Sequence, residues 1–168
     1  AAAGHARSMA HINDIYMTRQ NPDNAREAAD YLSKAIDLND GLAQCMFALY
    51  SMNVPEVAPR TYAMMLLKGI NDGVSNRDFW LHHAAWLYAS GKGVSKSPEN
   101  ARKIAEMIIN EGYTLGFYTL GEMHQAGNFG NDAKGEAAGY FQKGAAAGDT
   151  MCKEALQKLQ KLQPSGKK

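Results

Sequence analysis

Four stretches of this chain place apolar and polar residues in the same order. Counted from Ala28, Tyr62, Ala101 and Ala137, the first, fourth, fifth and eighth positions are apolar or small each time. After Ala28 these are Tyr31, Leu32 and Ala35; after Tyr62, Met65, Leu66 and Gly69. After Ala101 they are Ile104, Ala105 and Ile108; after Ala137, Tyr140, Phe141 and Gly144. An i, i+3, i+4, i+7 spacing is one face of an α-helix, so each stretch predicts an amphipathic helix. The seventh position holds Lys34, Lys68, Met107 and Lys143, on the polar side of the same helices. Eleven residues after each start stands Asn39, Gly73, Gly112 or Gly148. Asn and Gly tolerate the left-handed conformation that ends a helix, so these four positions are predicted stops.

A second helix is predicted after each stop, marked by small residues among larger ones. Its slots hold Ala43, Phe47 and Ala48; Trp80, Ala84 and Ala85; Gly116, Leu120 and Gly121; and Cys152, Leu156 and Gln157. Small residues let neighbouring helices approach closely while the larger ones fill the space between them. The second of these helices follows an insertion around Ser75, Asn76 and Arg77. Glycine turns, Gly91-Lys92-Gly93 and Gly127-Asn128-Phe129-Gly130, close two of the pairs, and Ser97-Pro98-Glu99 suits entry to the next helix. The connection Asn53 to Arg60 carries two prolines and no glycine, and is predicted to be stiffer and irregular. The starts lie 34, 39 and 36 residues apart. A period in that range is the signature of a helical solenoid, whose units bury their apolar faces against one another.

The expected organisation is a leading segment over 1–24 with a short helix between His11 and Gln20, a repeat array over 25–163 and a tail over 164–168. No run approaches the roughly 18 apolar residues of a spanning helix, and no signal peptide is evident. Formal net charge is +1, from 18 Lys plus Arg against 17 Asp plus Glu, which disfavours a general nucleic-acid or acidic-membrane binder. Cys45 and Cys152 lie 107 residues apart, in the first and last units. A disulfide needs Cα atoms within about 7 Å, so both are expected to be free thiols, with Cys152 in a buried small-residue slot.

The residues from Leu87-Tyr88 through Gly91-Lys92-Gly93-Val94 to Ala101 resemble the Sel1-like repeat family, relatives of the tetratricopeptide repeats. So do Leu120-Gly121-Glu122-Met123-His124, Gly127, Ala137, Tyr140-Phe141, Lys143-Gly144-Ala145 and Gly148-Asp149. The likeness covers roughly residues 25 to 160 and departs from the family pattern at Ser51 and His124, where Tyr is usual. It implies an all-α fold: a right-handed superhelix of about four antiparallel helix pairs. It also implies an adaptor that binds protein partners, in a bacterial setting that includes exported proteins and proteins tied to secretion. The compartment is left open between periplasm and cytoplasm, with unpaired thiols favouring the cytoplasm.

Candidate chemistry is sparse. His82 and His83 are adjacent, so on a helix they point about 100° apart and cannot share a metal in i, i+4 geometry. One is expected to be half-buried and the other wet. Neither cysteine is placed by sequence beside a histidine and an orienting group, as a nucleophile would require. Gly91-Lys92-Gly93 joins helix to helix and lacks the ending of a phosphate loop. The expectation is therefore a monomeric, non-enzymatic protein-interaction module with no metal and no cofactor. Its candidate contact residues are Lys34, Lys68, Met107 and Lys143, lining a groove on the first helices, and the pair Phe79 and Trp80 beside the insertion. The expected partner is a protein: a secreted effector occluded by a dedicated immunity or regulatory protein, or, alternatively, envelope machinery served by a scaffold.

Overall fold

The structure is a computed structural model that describes residues 22–130 and 135–162; the leading helix expected between His11 and Gln20 lies outside them. The described residues form eight α-helices and no strand: α1 Pro22–Asp37, α2 Gly41–Ser51, α3 Pro59–Asn71, α4 Arg77–Ser90, α5 Pro98–Asn110, α6 Leu115–Gln125, α7 Ala137–Ala146 and α8 Thr150–Leu162. Of the helix pairs that the periodicity predicts, α1 packs on α2, α5 on α6 and α7 on α8. Three of the first helices begin earlier than the alignment suggests, each with a proline in its first turn: Pro22, Pro59 and Pro98. Proline fits there because its missing N–H would have no intrahelical partner.

All four predicted stops adopt positive φ: Asn39 at 57°, Gly73 at 91°, Gly112 at 90° and Gly148 at 96°. After α5 the Gly112 N–H bonds to Ile109 O at 2.9 Å and the Tyr113 N–H to Ile108 O at 3.1 Å. This is the Schellman pair that satisfies the last carbonyls of a helix. Asn39 and Asp40 repeat it after α1, and Gly148 and Asp149 after α7. Starts are capped as well. Ser97 accepts from the Asn100 N–H at 3.2 Å before α5, and Asp40 from the Ala43 N–H at 2.9 Å before α2.

The chain divides into two compact units: residues up to Trp80 with Lys92–Val94, and Leu81–Gly91 with the residues from Ser95 onward. In the first unit α1 packs on α2 and α2 on α3. The α2–α3 contact is glycine on glycine. A Cβ added to Gly41 would stand 2.6 Å from Gly69 O, and one added to Gly69 would stand 2.5 Å from Gly41 O. Around it Leu32, Ala35, Ala43, Ala48, Tyr62 and Leu66 are buried. In the second unit α5 to α8 pack in succession, and α6 also meets α8. Ala85, Ala89, Ala101 and Met123 form one core cluster; Ala137, Phe141 and Cys152 form another, beneath Phe117 and Tyr118. Asp149 ties two turns together, accepting from the Cys152 N–H at 2.8 Å and from the Thr114 hydroxyl at 2.7 Å.

Candidate partner-binding surface

The fold sorts the repeating positions by depth. The first, fifth and eighth positions of the first helices are buried wherever their side chains are described, and the fourth, Tyr31, Met65, Ile104 and Tyr140, is half-buried. The seventh, Lys34, Lys68, Met107 and Lys143, is exposed in every unit. A helical residue three places on from a half-buried one lies over its edge, and this geometry pairs the two positions chemically. Lys34 Nζ sits 5.7 Å from the centre of the Tyr31 ring, and Lys143 Nζ sits 5.5 Å from that of Tyr140. Such contacts hold a cation at the surface without neutralising it. Lys68 is held differently: it pairs with Asp72 one turn on and donates to Asn39 Oδ1 at 3.1 Å. Lys34 and Lys68 belong to the first unit, Met107 and Lys143 to the second.

Phe79 and Trp80 separate. Trp80 is buried and donates its indole N–H to Ser75 O at 3.1 Å, so it plugs the insertion. Phe79 remains 40% exposed, with its ring edge-on to Trp80 at 4.9 Å.

The second unit adds a cluster that the sequence pattern does not reveal. His124 is fully buried between two rings, Phe129 at 4.7 Å and Tyr140 at 4.9 Å. Its Nδ1 lies 3.9 Å from Glu136 Oε2. The Arg102 guanidinium stands 4.3 Å over the other ring partner, Phe129, and donates to the Tyr140 hydroxyl at 3.4 Å. Arg102, Phe129, His124, Tyr140 and Lys143 therefore form a continuous chain of contacts running from α5 to α7. Glu136, Gly139, Tyr140 and Lys143 line a shallow depression at its end. The signals for it in the sequence are His124 in a slot that holds Tyr88 one unit earlier, and a bulky Phe129 within a glycine turn.

The remaining chemistry is structural. His82 and His83 are both half-buried, where one half-buried and one wet were expected. His82 Nδ1 lies 2.8 Å from Thr119 Oγ1, whose own hydroxyl donates to Leu115 O at 2.8 Å. The imidazole must therefore donate to Thr119, which places the proton on Nδ1. Burial, helped by the neighbouring His83, pushes the His82 pKa down to about 4. Both cysteines are free and fully buried. Cys45 donates to Leu66 O at 3.7 Å, and its pKa is pushed up to about 12 by burial and by the charge of Asp40. Cys152 rises to about 12 through burial and Asp149. A nucleophilic thiol needs the opposite shift. Among the described residues no group of three or more His, Cys, Asp or Glu is arranged to hold a metal, and no helix is long and apolar enough to cross a membrane.

No protein-family model and no curated protein matches the chain. A Sel1 repeat protein from Oxalobacter formigenes, of known crystal structure, superposes with a TM-score of 0.67 at 21% identity over 91% of this chain. This chain spans 62% of the length of that one. With its stops, caps and small-residue contacts in the same places as the repeat predicts, the chain has the fold of a Sel1 repeat protein.

Proposed function

We propose that this protein is an interaction module that binds a protein partner through the exposed seventh-position residues of its first helices. One observation carries this reading. The buried positions of each unit change identity from Leu66 to Ala105 to Phe141, yet the seventh position stays exposed throughout and is Lys in three of four units. Packing does not require a cation there. Two of the lysines are held over tyrosine rings, each presenting on its own unit an amphipathic, positively charged spot to a partner. Met107, 40% exposed, adds an adaptable apolar contact. The high thiol pKa values and the structural placement of His82 support binding over catalysis.

The test is affinity capture from source-cell lysate with mass spectrometry, comparing wild type with Lys34→Glu, Lys68→Glu and Lys143→Glu combined. One stoichiometric partner, lost in the variant while helicity is retained, is the expected result. If that partner is an enzyme, the dedicated immunity or regulatory role follows. Many substoichiometric envelope proteins would identify a scaffold. Capture that is indifferent to all three reversals would refute the lysine surface and turn attention to the exposed Phe79.

A further inference from the structure

Beside the Arg102 contacts lies an open depression lined by Pro98, Glu99, Arg102, Asn128, Phe129 and Gly130. Three features of it point to an oxygen-rich, negatively charged ligand. The first is Arg102, whose planar group carries five N–H donors. Among the described residues it spends one on the Tyr140 hydroxyl and makes no ion pair. Its contact with the Phe129 ring and its bond to Tyr140 hold the guanidinium at the depression before any ligand arrives. The second feature is the side-chain amide of Asn128. Its Nδ2 is buried and meets no acceptor among the described residues. A buried donor left unsatisfied carries a desolvation cost that an incoming oxygen would remove. The third is the balance of charge. Glu99 is the one acid in the lining, and Lys103 Nζ holds its carboxylate at 2.6 Å one turn along α5. Its charge is thus met on its own helix, while that of Arg102 is not.

We infer that this depression takes the carboxylate of an acidic side chain from a protein partner, with Arg102 and Asn128 as donors and Phe129 as the wall. A planar guanidinium matches a carboxylate with two parallel bonds, which a lysine cannot reproduce. The inference rests on the reading that this protein binds a protein partner, and adds the chemistry that one of its units recognises.

The experiment titrates the full chain, 15N-labelled, with an N-acetylated, C-amidated peptide bearing a central Glu-Glu pair. The readout is the Asn128 side-chain amide resonance. Saturable shifts of that resonance are expected, with affinity about tenfold weaker for Arg102→Gln and only partly restored by Arg102→Lys. Asn128→Asp, which sets an anion against the ligand and has no side-chain amide of its own, is read instead at the Arg102 Nε–H resonance, where the peptide-induced shifts of the wild type should be abolished; it serves as the decisive variant should Arg102→Gln fail to fold. The same peptide with Gln-Gln binding equally well would overturn the inference. So would equal binding by inorganic phosphate, or by a neutral peptide with a free C-terminal carboxylate, since each assigns the depression to another anion. Peptide binding that needs Arg102 but not Lys34, Lys68 or Lys143, together with capture that ignores those lysines, would refute the lysine surface alone. Capture that needs the lysines while the peptide ignores Arg102 would refute the depression alone.

Discussion

Gly112 ends α5 at φ 90°, with nothing within 4 Å of where a Cβ would stand. A substitution there meets no neighbour, so its cost is backbone strain and nothing else. Asn39 fills the equivalent place at φ 57°, which shows the side chain that this turn accepts. Thermal melts of three variants should therefore rank Gly112→Asn above Gly112→Ala above Gly112→Val. The β-branched change is expected to cost on the order of 1–3 kcal/mol. A Val variant melting with the wild type would remove the left-handed turn from the account. His82 makes a prediction of the other kind, about solution conditions. Its folded pKa, about 4, lies below the ordinary 6.5. Between those values the unfolded chain binds more protons than the folded one, so stability is full above pH 6.5 and falls as pH drops toward 4. Denaturant midpoints of wild type against His82→Gln should show a steeper acid loss in the wild type across that window. Parallel pH profiles would refute the assignment.

At the scale of elements, glycine has opposite values at two first-helix positions. Gly69 admits α2 to within backbone contact of α3, and a Cβ there would also stand 2.6 Å from Cys45 Sγ. Gly69→Ala must push two helices apart and is expected to cost about 1–3 kcal/mol. Gly139 faces nothing within 4 Å, so Gly139→Ala should stabilise α7 by about 0.5–1 kcal/mol through helix propensity. Unfolding curves of the two variants that move in the same direction would contradict this packing. Most of this was legible in the sequence. Stops, caps and the buried stripe are local: each is set by residue type at a fixed offset, and Asn39, Ser97 and Leu66 announce themselves. The Arg102–Phe129–His124–Tyr140 cluster was not legible. Its members come from α5, a turn, α6 and α7, and no period links a loop phenylalanine to a helix arginine. Trp80 was ambiguous for a similar reason: only the carbonyl of Ser75, a backbone atom without a sequence signature, decides that the indole plugs the insertion.

At the scale of the whole molecule, near-neutrality matters. Reversing Lys34, Lys68 and Lys143 takes the formal charge from +1 to −5, because each Lys→Glu change removes two units. A shift of that size could weaken association with an acidic partner wherever the charges sat. Reversing the exposed Lys153, Lys158 and Lys161 on α8 gives the same total and separates the two effects. Partner capture should survive this second triple and fail with the first; loss in both would reduce the contact to bulk electrostatics. The core cluster around Phe141 also bears on how such a chain can change over time. A Cβ on Gly121 would strike the Phe141 ring at 2.4 Å, so the bulk of α7 is accommodated by a vacancy on α6. Where α7 has Phe141 and Gly144, α5 has Ala105 and Ile108. Knob and hole have traded places between consecutive copies of one motif. Duplicating α7 and α8 in tandem would keep the outer junctions and create one new one, where a second Phe141 would meet Gln157 of α8 in the slot that Gly121 fills on α6, so the array can be lengthened only by refitting that junction.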